Sequence, residues 1–156
     1  MENVKAIYFD MDGTIADLYG VKEWKAGIDN SLLYPYVEAK PMWDMVKLYE
    51  VCMALKSHGY IVGVISWTSK NGTAEYNKAV REIKKKWLET YGLLNMMDEI
   101  HIVKYGTPKH TVPNLRHGIL IDDNFKVREK WKQYGGDVFD PTAGDLIEML
   151  NLLMEE

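Results

Sequence analysis

Residues 4–14 read VKAIYFDMDGT, and this stretch decides the fold that the rest of the chain has to complete. Val4 to Phe9 is a short apolar and aromatic run, which predicts a buried strand. The run stops at Asp10, and Gly13 supplies a turn soon after it. Asp10 and Asp12 thus stand at the mouth of a core, where unpaired carboxylates are costly. A cation would relieve that cost, and magnesium suits one or two carboxylates plus a phosphate group.

Outward from this strand, the chain alternates short apolar runs with helical patterns. Further strands are predicted at Tyr60–Ile65, Glu99–Val103, Gly118–Ile121 and Asp137–Phe139. Helices are predicted at Pro41–His58, Thr73–Tyr91 and Phe125–Tyr134, followed by a closing helix that Thr142 caps and that carries Leu146, Ile147, Leu150 and Leu153. This order predicts an α/β fold, a three-layer Rossmann-like parallel sheet with helices on both faces. Sites in such sheets lie outside the carboxyl ends of the strands.

Three segments of the pattern need separate interpretation. Asp17 to Lys40 is irregular and aromatic, which indicates a short insertion. The helix at Pro41–His58 is predicted because Met42, Met45, Val46, Tyr49, Cys52 and Met53 recur at helical spacing, and Cys52 is expected to be a buried structural side chain. The triple lysine Lys84 to Lys86 lies within the predicted helix Thr73–Tyr91 and is interpreted as a solvated face.

Composition limits the classes of protein. The chain has 156 residues, 47% hydrophobic and 27% charged, which predicts one domain over residues 1–156. The N-terminus lacks a signal-peptide pattern, and one cysteine permits no internal disulfide, so a cytoplasmic location is expected. No run approaches the ~20 apolar residues of a membrane span. A net charge of -4 disfavours a general role in nucleic-acid binding.

The segment Asp10-Met11-Asp12-Gly13-Thr14 resembles the first motif of the haloacid dehalogenase-like (HAD) phosphohydrolases. The resemblance implies that Asp10 is the nucleophile, that Asp12 is the general acid and base, and that Thr14 contacts the substrate. It also implies a hydroxyl at the end of the second core strand, for which Ser66 is the first choice and Thr68 the second.

Two further motifs of the same family have candidates here. The family's lysine is assigned to Lys109, with Lys104 as the alternative. The last motif matches Ile119-Leu120-Ile121-Asp122-Asp123-Asn124, an apolar strand that ends in paired acids. The resemblance therefore implies a Mg²⁺ cofactor held by Asp10, Asp12, Asp122 and Asp123.

Substrate choice in this family depends on a cap between the first two motifs. The insertion Asp17–Lys40 is too short for a large cap, and Trp24, Tyr34, Tyr36 and Trp67 could offer stacking faces for a base. The chain resembles small deoxyribonucleotidase-like 5'-nucleotidases, which implies a phosphorylated small substrate, with Trp67 and Thr68 in its binding site. Two alternatives stay open: a phosphatase acting on nucleic-acid ends, and a non-catalytic phosphate-binding regulatory module. Oligomeric state is not predicted.

Overall fold

The computed structural model describes residues 5–113 and 117–155 of the chain. The strands are, in chain order, β1 (Ala6–Phe9), β2 (Ala16–Asp17), β3 (Lys40–Pro41), β4 (Ile61–Trp67), β5 (Glu99–Val103), β6 (Ile119–Ile121) and β7 (Asp137–Phe139). The helices are α1 (Trp24–Asp29), α2 (Tyr34–Glu38), α3 (Met45–Ser57), α4 (Ala74–Thr90), α5 (Phe125–Gln133) and α6 (Leu146–Leu152). Short 3₁₀ turns lie at Leu18–Gly20, Lys109–Thr111 and Leu153–Glu155.

Five strands form one parallel sheet in the order β5-β4-β1-β6-β7, so the strand that opens the chain lies at the centre. All four residues of β1 are buried. Ile7 and Phe9 belong to a core cluster on one face, with apolar side chains of α3, α4 and α6, and Ala6 and Tyr8 belong to another, with Trp131 of α5. Because successive side chains of a strand point to opposite faces, the continuous apolar run of β1 serves both layers. The predicted three-layer α/β fold is confirmed.

Several boundaries differ from the predicted ones. Val4, the predicted start of the first strand, lies outside the described residues. Strand β4 continues past Ile65 to Trp67, because β5 pairs with it as far as Val103. Helix α6 is capped by Asp145, whose side chain accepts a hydrogen bond from the Glu148 N–H at 3.1 Å. Thr142 instead bonds the Asp140 side chain in the preceding turn, so the predicted cap was wrong.

The largest correction concerns α3. Pro41 lies in β3, which pairs antiparallel with β2, and the helix begins only after Asp44, which caps it through the Lys47 N–H. Its buried face consists of Leu48, Val51, Cys52 and Leu55. Of the residues whose spacing predicts this helix, Cys52 is buried as expected, but Val46 is 68% exposed. Tyr49, Met53 and Met42 are exposed as well. Apolar residues occur all around this helix, and its packing against the sheet and α6 decides which side is covered.

The insertion predicted over 17–40 is more regular than its sequence indicates, because it contains α1, α2 and the turn Leu18–Gly20. Leu18 and Tyr36 pack against Tyr76 and Val80 of α4. The Tyr76 hydroxyl also donates a hydrogen bond to the Leu32 carbonyl at 2.6 Å. The insertion is thereby attached to α4, next to the carboxyl edge of the sheet. Within residues 5–113 and 117–155, no helix combines the length and apolar character needed to cross a membrane.

Candidate active site

Three carboxylates meet at the carboxyl edge of the sheet. Asp10 follows β1, and Asp122 and Asp123 follow the neighbouring strand β6. The backbone of Asp10 donates to the Ile121 carbonyl at 2.9 Å, so the sheet itself fixes where these side chains start. One oxygen from each of Asp10, Asp122 and Asp123 lies within 4.8 Å of the other two. These three acids, predicted from sequence as metal ligands, therefore share one small volume.

Lys109 is the cation of this cluster. It begins the 3₁₀ turn Lys109–Thr111, is 4% exposed, and donates to Asp10 Oδ1 at 2.9 Å and to Asp122 Oδ2 at 2.7 Å. Burial alone would lower the pKa of Lys109, but the two carboxylates outweigh it and raise that pKa. Lys104, the alternative named from sequence, is exposed and its carbonyl accepts bonds from Thr107. Of these two lysines, only Lys109 contacts the acids.

One lysine does not compensate the three acids fully. Burial and then the charge of Asp10 raise the pKa of Asp122 to about 6. The same two causes, in the same order, raise the pKa of Asp123 to about 8. Crowded carboxylates of this kind behave as a site that lacks positive charge. The oxygen-only donor set and its net charge fit a hard divalent cation such as Mg²⁺, which Asp10, Asp122 and Asp123 would hold.

This electrostatic arrangement predicts how stability depends on pH and Mg²⁺. The pKa of Asp123 and that of Asp122 are higher in the folded than in the unfolded chain, so the folded state keeps protons that the unfolded state releases above pH ~4. Without metal, the free energy of unfolding should therefore fall as pH rises from about 5 to 8. Mg²⁺ held by these acids would compete with those protons, so it should raise the melting temperature more at pH 8 than at pH 5. Thermal unfolding with Mg²⁺ and with EDTA tests this, and an equal effect of Mg²⁺ at both values would contradict it.

Asp12 is outside the three-acid cluster but lines the same cavity. Its Oδ2 accepts a hydrogen bond from Lys84 Nζ at 2.9 Å, and its side chain remains 20% exposed at the cavity. Burial raises the pKa of Asp12, although Lys84 opposes that shift. The Asp12 carboxylate, predicted from sequence as a metal ligand, is not part of the three-acid cluster found among the described residues. Its environment suits proton transfer better than metal binding.

Lys84 is the functional residue that sequence reasoning missed. It was interpreted as part of a solvated face, but its side chain is 2% exposed and points into the site. The next two residues of α4, Lys85 and Lys86, are exposed, as predicted. A signal was present in the sequence, because Lys84 follows Val80 by four positions and precedes Leu88 by four, on the apolar stripe of α4.

The hydroxyl groups near the acids have separate positions. Ser66 Oγ accepts a bond from Lys84 Nζ at 2.7 Å, and Ser66 is fully buried and outside the described cavity lining. Thr14 also lies behind the lining, with its hydroxyl 3.4 Å from oxygens of both Asp10 and Asp123. Thr68 does line the cavity, and its buried Oγ1 has no hydrogen-bond partner among the described residues. Thr68 is thus the hydroxyl best placed to meet a ligand.

A cavity of about 650 Å³ opens above the acids. The insertion forms one wall, where Tyr19 and Trp24 meet edge to face with ring centroids 4.8 Å apart. Trp67 and Tyr105 form another wall with centroids 4.9 Å apart, and the Trp67 Nε1–H donates to the Thr107 carbonyl at 2.9 Å. Lys25, Lys70 and Asn71 also line the cavity. Its size lies within the range of small-molecule sites.

Comparisons with known proteins address the fold. No family model matches the chain. A structure of an HAD family enzyme, bt-2542, from Bacteroides thetaiotaomicron is similar with a TM-score of 0.55 and 12% identity, over 95% of this chain and 98% of that one. A structure of an uncharacterized protein from Corynebacterium glutamicum has a TM-score of 0.49 and 14% identity, over 97% of this chain and 93% of that one. The chain has an HAD-like fold, as the motif resemblance implies.

Proposed function

We propose that the protein is a magnesium-dependent phosphomonoester hydrolase that works through an aspartyl-phosphate on Asp10. The observation that supports it is the meeting of Asp10, Asp122, Asp123 and Lys109 at one edge of the sheet, with Asp12 beside them at the cavity. A non-catalytic module would not need Asp12 there. The likeness to the structure of an HAD family enzyme agrees with the fold that this proposal requires.

In the first step, a carboxylate oxygen of Asp10 attacks phosphorus and the bond from phosphorus to the ester oxygen breaks. Asp12 gives its proton to the departing oxygen, and the raised pKa of Asp12 favours the protonated form that this requires. In the second step, water attacks the phosphorus of the aspartyl-phosphate, Asp12 takes its proton, and Asp10 is released with inorganic phosphate. Asp12 thus returns to the state in which it began.

The other residues bind and neutralise the phosphoryl group. Lys109 contacts Asp10 and can share its charge with the incoming oxygens, where stabilisation matters most in phosphoryl transfer. The Thr68 hydroxyl, which lacks a partner among the described residues, donates to one of them. Bound Mg²⁺ would supply further positive charge to the phosphoryl oxygens. We assign the motif hydroxyl to Thr68 rather than Ser66 for this reason.

For the substrate we propose a nucleoside monophosphate, as in the 5'-nucleotidases that the sequence resembles. The two aromatic pairs offer flat faces at the cavity, and a base stacked on an aromatic side chain typically gains ~1–3 kcal/mol. Lys70 at the lining favours an anionic ligand, whereas Lys25 is paired at 2.8 Å with Asp29 of the same lining. A nucleic-acid end would fit the same chemistry, and the substrate panel below separates the two.

The test is phosphate release by purified protein with Mg²⁺ and with EDTA. The first substrate is p-nitrophenyl phosphate, followed by 5'- and 3'-nucleotides and a 3'-phosphorylated oligonucleotide. Magnesium-dependent release that favours a mononucleotide supports the proposal. Preference for the oligonucleotide would replace the substrate assignment, and no release from any substrate would favour the non-catalytic module.

Tyr105→Ala tests the stacking wall. Tyr105 is 42% exposed and packs on Trp67, so its removal should change binding far more than stability. The KM for the preferred nucleotide should rise ~5-fold or more, the equivalent of ~1 kcal/mol, with kcat nearly unchanged. Tyr49→Ala, at a 41% exposed tyrosine of α3 that does not line the cavity, is the matched control. Equal KM values for Tyr105→Ala and wild type would show that the Trp67–Tyr105 wall does not bind the nucleotide.

A further inference from the structure

We propose that Lys84 is a positioning residue that holds the Asp12 carboxylate in the orientation needed for proton transfer. The inference rests on the proposed function, since it assigns Lys84 a role through the acid and base of that reaction. It concerns a lysine on α4, away from Lys109, and gives the site two buried lysines with different tasks.

The contacts of Lys84 account for its burial. Its Nζ donates to Asp12 Oδ2 at 2.9 Å, to Ser66 Oγ at 2.7 Å and to the Trp67 carbonyl at 2.7 Å. An ammonium group has three N–H donors, so these contacts use all of them. The Tyr36 ring of the insertion lies over the same Nζ, 5.3 Å from ring centroid to nitrogen. The ammonium is therefore enclosed by β4, α4 and the insertion, with its position set by all three.

Asp12 is less constrained than its partner. The Asp12 side chain is 20% exposed at the cavity, whereas Lys84 is 2% exposed behind it. A carboxylate at the end of a short side chain can rotate between several orientations unless one is selected. The bond from Lys84 selects one by engaging Oδ2, and proton transfer then falls to Oδ1. Held geometry of this sort is a large part of how positioned groups accelerate a reaction.

The two lysines divide the acids between them. Lys109 contacts Asp10 and Asp122, where the phosphoryl group would be bound. Lys84 contacts Asp12, the group that meets the ester oxygen. Loss of Lys109 should therefore affect all substrates, because every substrate carries the same phosphoryl group. Loss of Lys84 should affect mainly substrates whose leaving oxygen needs a proton.

Leaving-group dependence gives a readout that a purely structural role would not change. The leaving group of an alkyl phosphate such as β-glycerophosphate is a strongly basic alkoxide unless it is protonated as it departs. The leaving group of p-nitrophenyl phosphate, p-nitrophenolate, departs readily without a proton. In Lys84→Met, kcat/KM for β-glycerophosphate should fall at least ~10-fold more than kcat/KM for p-nitrophenyl phosphate, since general acid catalysis contributes ~10²–10⁴-fold. Lys85→Met, the same change at the exposed neighbour, should leave both values near wild type. Equal losses on the two substrates would overturn the proposal.

The ratio of the two kcat/KM values is independent of how much of a preparation is folded, because both are measured on the same active protein. Ser66→Ala provides a second variant, should Lys84→Met not fold. It removes one anchor of Lys84 and only one oxygen atom from the core. A selective loss on β-glycerophosphate supports positioning through Lys84, while an equal loss on both substrates indicates that Ser66 binds the phosphoryl group itself and counts against the proposal.

The same measurements separate failure of the proposed function from failure of the role of Lys84. If wild-type protein hydrolyses neither substrate, the proposed function fails. If wild-type protein hydrolyses both with Mg²⁺ and the ratio of the two kcat/KM values is unchanged in the variants, the role of Lys84 alone fails.

Discussion

Asp10→Asn should abolish magnesium-dependent hydrolysis, with kcat reduced on the order of 10⁴-fold or more for every substrate. An amide is not a nucleophile toward phosphorus, so the aspartyl-phosphate cannot form on the variant. The stability of the folded state should not decrease. Asp10 lies against Asp122 and Asp123, and its charge contributes to the raised pKa of both. Removing that charge relieves repulsion, so metal-free Asp10→Asn should melt at or above the temperature of metal-free wild type.

Asp10→Asn should therefore lose activity without losing stability. The hydrolysis assay and a thermal melting curve of the same preparation measure the two properties. Asp137→Asn is the matched control, because Asp137 is exposed at the start of β7, the opposite end of the sheet from the acids. It should retain wild-type kcat. Substantial hydrolysis by Asp10→Asn would exclude the aspartyl-phosphate and leave direct attack of water as the mechanism.

Lys109→Met should lower both activity and stability. Loss of one fixed charge that stabilises the transition state commonly reduces kcat ~10²–10³-fold. Because Lys109 is buried between Asp10 and Asp122, its removal leaves two carboxylates without their cation, a change that typically costs ~3–5 kcal/mol. The stability loss should be largest near pH 8 without metal. It should shrink at low pH, where the carboxyls are protonated, and on addition of Mg²⁺, which restores positive charge.

Lys104→Met is the informative control, since Lys104 is the other lysine that the sequence offers for this role. It is exposed, so kcat and the free energy of unfolding should both remain near the wild-type values. Urea unfolding at pH 5.5 and 8, together with the hydrolysis assay, measures the two effects. Loss of activity in Lys104→Met with none in Lys109→Met would contradict the site described above.

The parallel sheet could be predicted because its inner strands β1, β4 and β6 are largely buried on both faces. Runs such as Ala6–Phe9 and Ile119–Ile121 must then be apolar at every position, and such runs are visible without a partner. The acids were predictable for a related reason, since Asp10 and Asp122 end these runs abruptly. Parallel neighbours bring their carboxyl ends to one edge, so two separate sequence positions become one site.

Helix faces were harder to predict. Helix α3 has apolar residues on all sides, and spacing alone could not tell Val51 from Val46, of which only the first is covered by the core. Lys84 shows the converse case. A lysine within a run of three ordinarily reaches solvent, and only the approach of Asp12 and Ser66, 72 and 18 positions away in the chain, makes its burial favourable.

The sequence by itself determined the strand order along the chain, the parallel α/β class, and the acids Asp10, Asp122 and Asp123 at one edge, because these depend on local apolar runs and where they stop. The tertiary structure alone decided the partners of the charged groups, which are Lys109 with Asp10 and Lys84 with Asp12. It also decided that Thr68 rather than Ser66 lines the cavity. The physical reason is that a hydrogen bond or ion pair between distant residues depends on distances of a few ångströms, and hydrophobic periodicity carries no information about such distances.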